Sequence, residues 1–185
     1  LSQDELAKQL YKKAIDKMLN MKSFKTNIRN YSKGYVYKKQ PVKEAKIATS
    51  VNYVVFQRPR KLFMKIVESE VASLLNTKLF TDGGPDMKIK VPGILGLFTF
   101  TFPVDKPELS SYRGYSALDI DPITLETRLS SKDAKVKLLG SSSMNGQSAY
   151  LFEVTNIKTL DDKITKEIIG VRQSDFSIMV HEMYE

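Results

Sequence analysis

A basic proline turn joins two runs of β-favouring residues in the segment Tyr53-Val-Val-Phe-Gln-Arg-Pro-Arg-Lys-Leu-Phe-Met-Lys-Ile66. Successive side chains of a strand point to opposite faces, so a strand with one face in water alternates apolar and polar residues. Both runs are instead apolar at odd and even positions. Each face of this strand pair therefore needs an apolar neighbour, which is either a second layer of protein or the wall of a ligand cavity.

Charge is distributed unevenly along the 185 residues. The first 65 residues contain 16 Lys or Arg and 4 Asp or Glu, a net charge of +12, whereas the rest of the chain has a net charge of −4. This division predicts a basic face for an anionic partner, which could be lipid head groups, an acidic protein or nucleic acid. A lysine-rich surface that is simply well solvated is the alternative.

Length and composition favour a single domain over residues 1–185, with a hydrophobic fraction of 42% that suffices for a core. The longest apolar run, Pro92–Pro103, is broken by Gly and Thr and is shorter than the ~20 residues that a membrane-spanning helix needs. The chain contains no cysteine, which excludes disulfides and thiolate chemistry. Because it starts at Leu1 rather than Met, we expect that an N-terminal signal or anchor segment was removed.

An amphipathic helix is predicted over residues 1–20. Ser2-Gln-Asp-Glu5 has the pattern of a capping box, and apolar residues then follow at helical spacing up to Leu19. Beyond Asn20 the apolar period changes from 3.6 to 2. Strands are predicted at Ser23–Tyr31, Tyr35–Lys39, Ala45–Gln57, Lys61–Glu70, Leu75–Thr81, Met87–Val91, Leu97–Phe102, Ala134–Leu139, Ala149–Asn156, Lys163–Arg172 and Ser177–Tyr184.

Turns are expected at Ser32-Lys33-Gly34, at Asn145-Gly146 and at Asp161-Asp162. Residues 92–133 are interpreted as an irregular, lid-like insertion with one or two short helical turns. These elements predict an α+β fold: a strongly curved antiparallel sheet, or open and incomplete β-barrel, with the N-terminal helix and short lid helices in its concavity.

Residues suited to catalysis are sparse. His181 is the single histidine, and we interpret it as a surface residue of the last strand. Asp119 and Asp121 would share a face in a strand, but Pro122 follows them and favours a turn. Phosphate-binding and dinucleotide-binding motifs and metal-ligand spacings are missing from the sequence. We therefore predict that the protein is not an enzyme and needs no cofactor or metal.

A hydrophobic cavity is the more informative hypothesis. Glycines at 93 and 96 would let the apolar segment before Pro103 move, so that the insertion could cover a sheet face. The predicted cavity wall consists of Val51, Tyr53, Val55, Leu62, Met64, Ile66, Leu97, Phe98, Phe100 and Phe102. The competing interpretation is that these side chains fill an ordinary core.

The chain resembles the LolA/LolB-like lipoprotein carrier superfamily over most of its length. The resemblance rests on the leading helix, on Phe56-Gln-Arg-Pro-Arg-Lys-Leu-Phe-Met64, on Leu79-Phe-Thr-Asp-Gly83 and on Asn145-Gly-Gln-Ser-Ala-Tyr-Leu-Phe-Glu153. The ending from Gly170 to Glu185 is similar to the final hairpin of that family. The chain departs from the family pattern in having Met64 where a tryptophan is common and in the insertion Leu118-Asp-Ile-Asp-Pro122.

The resemblance implies a periplasmic or other extracytoplasmic carrier, associated with outer-membrane lipoprotein sorting, that binds an acyl chain between its sheet and a lid. It also implies that the arginine before the motif's proline, Arg58 here, gates the lid. The expected partners are a lipid or lipoprotein acyl chain and, through the basic N-terminal third, an anionic membrane surface or acidic protein; we expect a monomer. Two other functions stay open: an interaction module with a self-filled concavity and a basic nucleic-acid-binding domain.

Overall fold

The computed structural model describes residues 1–37, 40–119, 121–158 and 163–185. Two α-helices, α1 (Gln3–Asn20) and α2 (Pro122–Leu129), accompany three short 3₁₀ helices at Ala72–Leu74, Ile94–Leu97 and Pro107–Leu109. The strands are β1 (Ser23–Tyr37), β2 (Gln40–Gln57), β3 (Lys61–Ser69), β4 (Lys78–Thr81), β5 (Asp86–Lys90), β6 (Phe100–Pro103), β7 (Lys135–Met144), β8 (Gln147–Thr155), β9 (Lys166–Arg172) and β10 (Ile178–Tyr184).

All strand pairs are antiparallel and form two sheets, one with the order β1-β2-β3-β4-β5-β6 and the other with the order β10-β9-β8-β7. Neither sheet closes into a barrel, so the predicted α+β fold with open antiparallel sheet is confirmed. The chain divides into a first unit, residues 1–21 and 123–185, and a second unit, residues 22–122. The prediction of a single domain stays a prediction.

The first unit packs α1 against the four-stranded sheet. Ser2 caps α1 as the sequence predicts: its hydroxyl accepts from the Glu5 N–H, and the Glu5 carboxylate accepts from the Ser2 N–H at 2.7 Å. Tyr11, Ala14, Ile15 and Met18 lie on the buried stripe of α1. They form one core with Leu129, Phe152, Val154, Ile169 and Val171.

The second unit is the six-stranded sheet, in which β1 runs longer than predicted. The expected turn at Ser32-Lys33-Gly34 is wrong, because these residues continue β1 and pair with β2. Gly34 serves a different purpose: a Cβ on it would lie 2.3 Å from the Tyr112 carbonyl oxygen, so only glycine admits this close approach. The predicted strand Tyr35–Lys39 extends into residues that lie outside the described ones.

Strand boundaries differ most where the chain is irregular. β2 begins earlier than predicted, at Gln40, whereas β4 and β6 begin later because 3₁₀ helices precede them. The hairpin turn at Asn145-Gly146 is confirmed, since both residues have the positive φ angles that this turn requires. The predicted turn at Asp161-Asp162 lies outside the described residues.

Candidate functional site

The pairing register of the six-stranded sheet gathers apolar side chains on one face. Val54 pairs with Met64, Met64 with Leu79, Leu79 with Ile89, and Ile89 with Phe100. Paired residues of antiparallel strands point to the same face, so this row crosses five strands without a charge. We call the surface that it defines the apolar face; its apolar members are Phe24, Ile28, Ala48, Val54, Phe56, Leu62, Met64, Ile66, Leu79, Met87, Ile89, Phe100 and Phe102.

The opposite face of the same sheet carries the charges. Lys65 pairs with Lys78, and Lys78 with Lys90, one residue away from the apolar row. We call this surface the basic face; its basic members are Lys25, Arg29, Lys33, Lys61, Lys65, Lys78, Lys88 and Lys90. Among the paired positions of the described strands, Lys46 is the one charged residue on the apolar face.

The structure brings half of the predicted cavity wall together. Leu62, Met64, Ile66, Phe100 and Phe102 all lie on the apolar face, in adjacent or nearby strands. The rings of Phe100 and Phe102 stack with centroids 6.1 Å apart. These five side chains form the part of the predicted wall that shares a surface.

The other predicted wall residues lie elsewhere. Val51, Tyr53 and Val55 point to the basic face, where Tyr53 pairs with Lys65 and Val55 with Phe63. The β2 residues on the apolar face are instead Val54 and Phe56, which are 5% and 1% exposed. The sequence did not reveal this choice, because β2 is apolar at odd and even positions alike.

Leu97 and Phe98 precede β6 and do not take part in its pairing with β5. Their side chains are largely exposed, at 81% and 59% of their full area. The structure therefore does not bring them to the apolar face, although the sequence placed them in the same wall as Phe100.

An irregular segment covers part of the apolar face. Residues 104–119, which we call the covering segment, contribute Val104, Leu109, Ala117 and Leu118 to a cluster with Met87 and Ile89. Beneath Ala117 a pocket of about 10 Å³ remains, lined by Leu62, Met64, Leu79, Phe80, Thr81, Met87 and Ala117. That volume holds about one water molecule, whereas ligand pockets are ~300–1,000 Å³. An acyl chain fits there only when the covering segment has moved.

Backbone hydrogen bonds connect the covering segment to the rest of the second unit. The Val104 N–H donates to the Pro85 carbonyl at 2.8 Å, and the Val36 N–H donates to the Tyr112 carbonyl at 3.0 Å. Bonds of this kind contribute only about 1 kcal/mol each, because water replaces the partners when they separate. The segment is also held by its apolar cluster with Met87 and Ile89 and by Lys106, whose Nζ lies 3.8 Å from the centroid of the Phe102 ring.

Arg60 adds a charged connection at the end of the covering segment. Its Nε donates to the Asp121 carboxylate, and its Nη2 donates to the Leu118 carbonyl at 3.3 Å. Asp121 is only 2% exposed, and its hydrogen bond raises the pKa of Arg60. Asp121 lies just before α2, where a turn was predicted.

Arg58, the residue expected to gate the lid, occupies a different position in the same turn. Its guanidinium carbon lies 6.0 Å from the centroid of the Phe56 ring, and its N–H donates to the Lys22 carbonyl at 2.9 Å. A role for Arg58 in gating stays a prediction. Sequence reasoning missed Arg60 because both arginines flank Pro59, and only the folded turn shows which guanidinium meets Asp121.

The first unit contains a cluster of buried charges. Arg128 Nη1 donates to Glu167 Oε1 at 2.6 Å, and His181 Nε2 lies 2.8 Å from the same oxygen. Burial raises the pKa of Glu167, but the hydrogen bond with His181 and the charge of Arg128 outweigh this effect and hold the pKa below its usual value. The interpretation of His181 as a surface residue is wrong, because its side chain is only 22% exposed and engages this cluster.

Other kinds of site find little support in the described part of the chain. It contains no group of three acidic or histidine side chains that could hold a metal ion. None of its helices combines the length and the apolar character needed to cross a bilayer. A surface depression of about 430 Å³ on the first unit is lined by Gln147, Ser148, Arg172, Gln173 and Ser174, which offer no apolar wall.

No family model matches the chain, and no curated protein matches it. Solved structures do. A DUF1329 family protein from Desulfovibrio piger is 14% identical, with a TM-score of 0.45 over 97% of this chain and 73% of that chain. A LolA superfamily protein from Nitrosomonas europaea is 16% identical, with a TM-score of 0.36 over 97% of this chain and 71% of that chain.

An outer membrane lipoprotein-sorting protein domain from Vibrio parahaemolyticus is 11% identical, with a TM-score of 0.43 over 97% of this chain and 73% of that chain. The family that the sequence resembles is therefore among the solved structures similar to this chain. At these identities and TM-scores the likeness concerns the fold and carries no argument about function.

Proposed function

We propose that this protein is a non-catalytic carrier that binds an acyl chain of a lipid or lipoprotein between the apolar face and the covering segment. The separation of charge between the two faces of one sheet supports this proposal above all. The uncharged row across five strands offers an acyl chain a continuous apolar surface to lie along. The sequence resemblance to lipoprotein carriers adds an extracytoplasmic location and a role in cell-envelope lipid or lipoprotein trafficking.

The energetics of an acyl chain suit this arrangement. Burying one methylene contributes about 0.8 kcal/mol, so a chain of ~16 carbons gains roughly 13 kcal/mol on leaving water. A carrier must supply apolar contacts for most of that chain and still release it. The apolar face supplies the contacts, and release requires the covering segment to separate from that face.

A filled concavity is the second candidate, and the pocket of about 10 Å³ favours it. In that case the covering segment is a permanent part of the core, and the protein is an interaction module of the same fold. The two candidates differ in one property: only the carrier changes its covering segment when an amphiphile is added.

Fluorescence titration with a fluorescent fatty acid tests the proposal. Leu79→Asp places a carboxylate on the apolar face, and Phe63→Asp places the same group on the basic face of the neighbouring strand β3. We expect saturable binding that Leu79→Asp weakens at least tenfold and that Phe63→Asp leaves nearly unchanged. Circular dichroism establishes that both variants are folded.

Two results would contradict the carrier. One is wild-type protein that gives no saturable signal with the fatty acid, a phospholipid or a lipopeptide. The other is a folded Leu79→Asp that binds as tightly as wild type, which would place the ligand away from the apolar face.

A further inference from the structure

We propose that the basic face of the six-stranded sheet is a docking surface for an anionic lipid bilayer. Among the paired strand positions that the structure describes, it carries eight Lys or Arg side chains, and the acidic residues that share it are Glu68 and Asp86, with Glu70 just beyond β3. Eight basic and three acidic groups give this surface a net charge of +5. The proposal goes beyond acyl-chain binding, because it concerns the opposite side of the sheet.

The basic side chains are available to a partner. All of them are exposed except Lys65, which is half-buried. Arg29 forms an ion pair with Glu68 at 3.7 Å, but both side chains are more than 60% exposed, at 77% and 64%. Such a pair is weak in water and does not remove Arg29 from a competing anionic surface.

The basic side chains are spread across the face of the sheet rather than along one strand or at one position, which suits contact with a bilayer surface. Lys25 lies on β1 and Lys88 on β5, which are four strand spacings apart, or roughly 19 Å at about 4.8 Å per spacing. Attraction to a charged bilayer acts within about 8 Å at physiological salt. A sheet face lets the basic side chains of β1, β3, β4 and β5 reach that distance together.

The choice of residues also favours lipid over protein. Seven of the eight basic residues are lysine, whereas protein interfaces are enriched in arginine and depleted in lysine. Lysine lays its apolar stem along a surface and keeps a mobile charge in water, which suits a fluid array of head groups. Two aromatic rings, Tyr31 and Phe80, lie exposed on the same face and offer contacts at the head-group level.

Nucleic acid is the other polyanion to consider. Single strands are usually bound by aromatic platforms along one charged groove. Phe80 is in register with Lys25 of β1 through Phe63 and Val55, whereas Tyr31 lies further along β1. Tyr31 and Phe80 are therefore roughly 25 Å apart and do not line one groove. The geometry therefore favours a bilayer.

Cosedimentation with lipid vesicles tests the docking surface. Vesicles of phosphatidylcholine alone are compared with vesicles that also contain phosphatidylglycerol, using the full chain. We expect binding only to the anionic vesicles, and release in high salt. Each basic residue close to such a surface strengthens binding about fivefold, so Lys25→Gln/Lys78→Gln/Lys88→Gln should weaken it about 100-fold.

A matched variant separates local from overall charge. Lys132→Gln/Lys135→Gln/Lys137→Gln removes three exposed lysines from the first unit and changes the net charge equally. We expect it to bind anionic vesicles within a few-fold of wild type. Both triple variants should keep wild-type affinity for the fluorescent fatty acid, which distinguishes failure of the docking surface from failure of the carrier.

Three results would overturn the docking surface. They are absence of wild-type binding to anionic vesicles, equal weakening in the two triple variants, and tighter binding of wild type to duplex DNA or polyglutamate than to the vesicles.

Discussion

Neutralising Asp121 should loosen the covering segment without unfolding the sheet. Asp121→Asn keeps the size of the side chain but removes the charge that meets Arg60. A hydrogen bond between charged groups contributes about 1.5–3 kcal/mol, and Arg60 is 33% exposed, so solvent screening places this one near the lower end. A loss of about 1.5 kcal/mol corresponds to a roughly tenfold larger population of the opened segment.

Hydrogen exchange measures that population directly. The Val104 and Val36 amides report on opening, because each is bonded across the boundary between the covering segment and the rest of the second unit. We expect both to exchange about tenfold faster in Asp121→Asn. Amides in the pairing of β2 with β3 should keep their wild-type rates.

Asp175→Asn is the matched control, since it makes the same chemical change in the first unit, where Asp175 meets Lys17. It should leave the Val104 and Val36 amides unchanged. Unaltered exchange of these two amides in Asp121→Asn would refute the proposed connection. Equal acceleration throughout the second unit would instead mean that Asp121 stabilises the whole sheet.

Three further predictions concern the first unit. Glu167→Gln should lower the free energy of unfolding by about 3–5 kcal/mol in urea titrations, because it leaves Arg128 buried without a counter-charge; Arg128→Met/Glu167→Leu should recover most of that loss. The pKa of Glu167 in the folded state lies below its unfolded value of 4.5. The stabilisation that this carboxylate contributes should therefore be fully present above pH 4.5 and be lost as the pH drops through the folded pKa. Urea titrations at several pH values should show a flatter dependence of stability on pH in Glu167→Gln than in wild type. Ser2→Ala should reduce stability by about 1 kcal/mol through loss of the α1 cap, measured by thermal unfolding.

Local signals in the sequence predicted the fold well. The cap of α1 and the turn at Asn145-Gly146 depend on residues within a few positions of each other, and both are confirmed. The turn predicted at Gly34 is wrong, because the glycine is required for a different reason. The backbone of Tyr112, which is distant in sequence, approaches Gly34 too closely for a Cβ atom. A single sequence shows that a glycine is present but not which backbone approaches it.

The candidate site was only half predictable for a related reason. The predicted wall residues of β3 and of β6 share the apolar face. On β2 the sequence analysis selected the odd-numbered residues, which point to the basic face, instead of the even-numbered ones. β2 is apolar on both sides, so its pattern cannot fix the face that meets β3. A register shift between Val51 and Asn52 adds to the ambiguity, because it changes how β2 and β3 align.

Two ion pairs could not be predicted from the sequence, because their partners are far apart in the chain. Arg60 meets Asp121 from 61 positions away, and Arg128 meets Glu167 from 39 positions away. Neither pair leaves a spacing pattern in the sequence, because each forms only when separate elements pack.

Native mass spectrometry of the purified protein, combined with lipid extraction, tests the carrier most directly. Met64→Asp changes a residue of the apolar row, and Lys65→Asp changes the adjacent residue on the basic face. We expect a bound amphiphile on the wild type and on Lys65→Asp, and its loss from a folded Met64→Asp. A protein mass without ligand that stays unshifted by added phospholipid, fatty acid or lipopeptide would contradict the carrier and favour the self-filled interaction module.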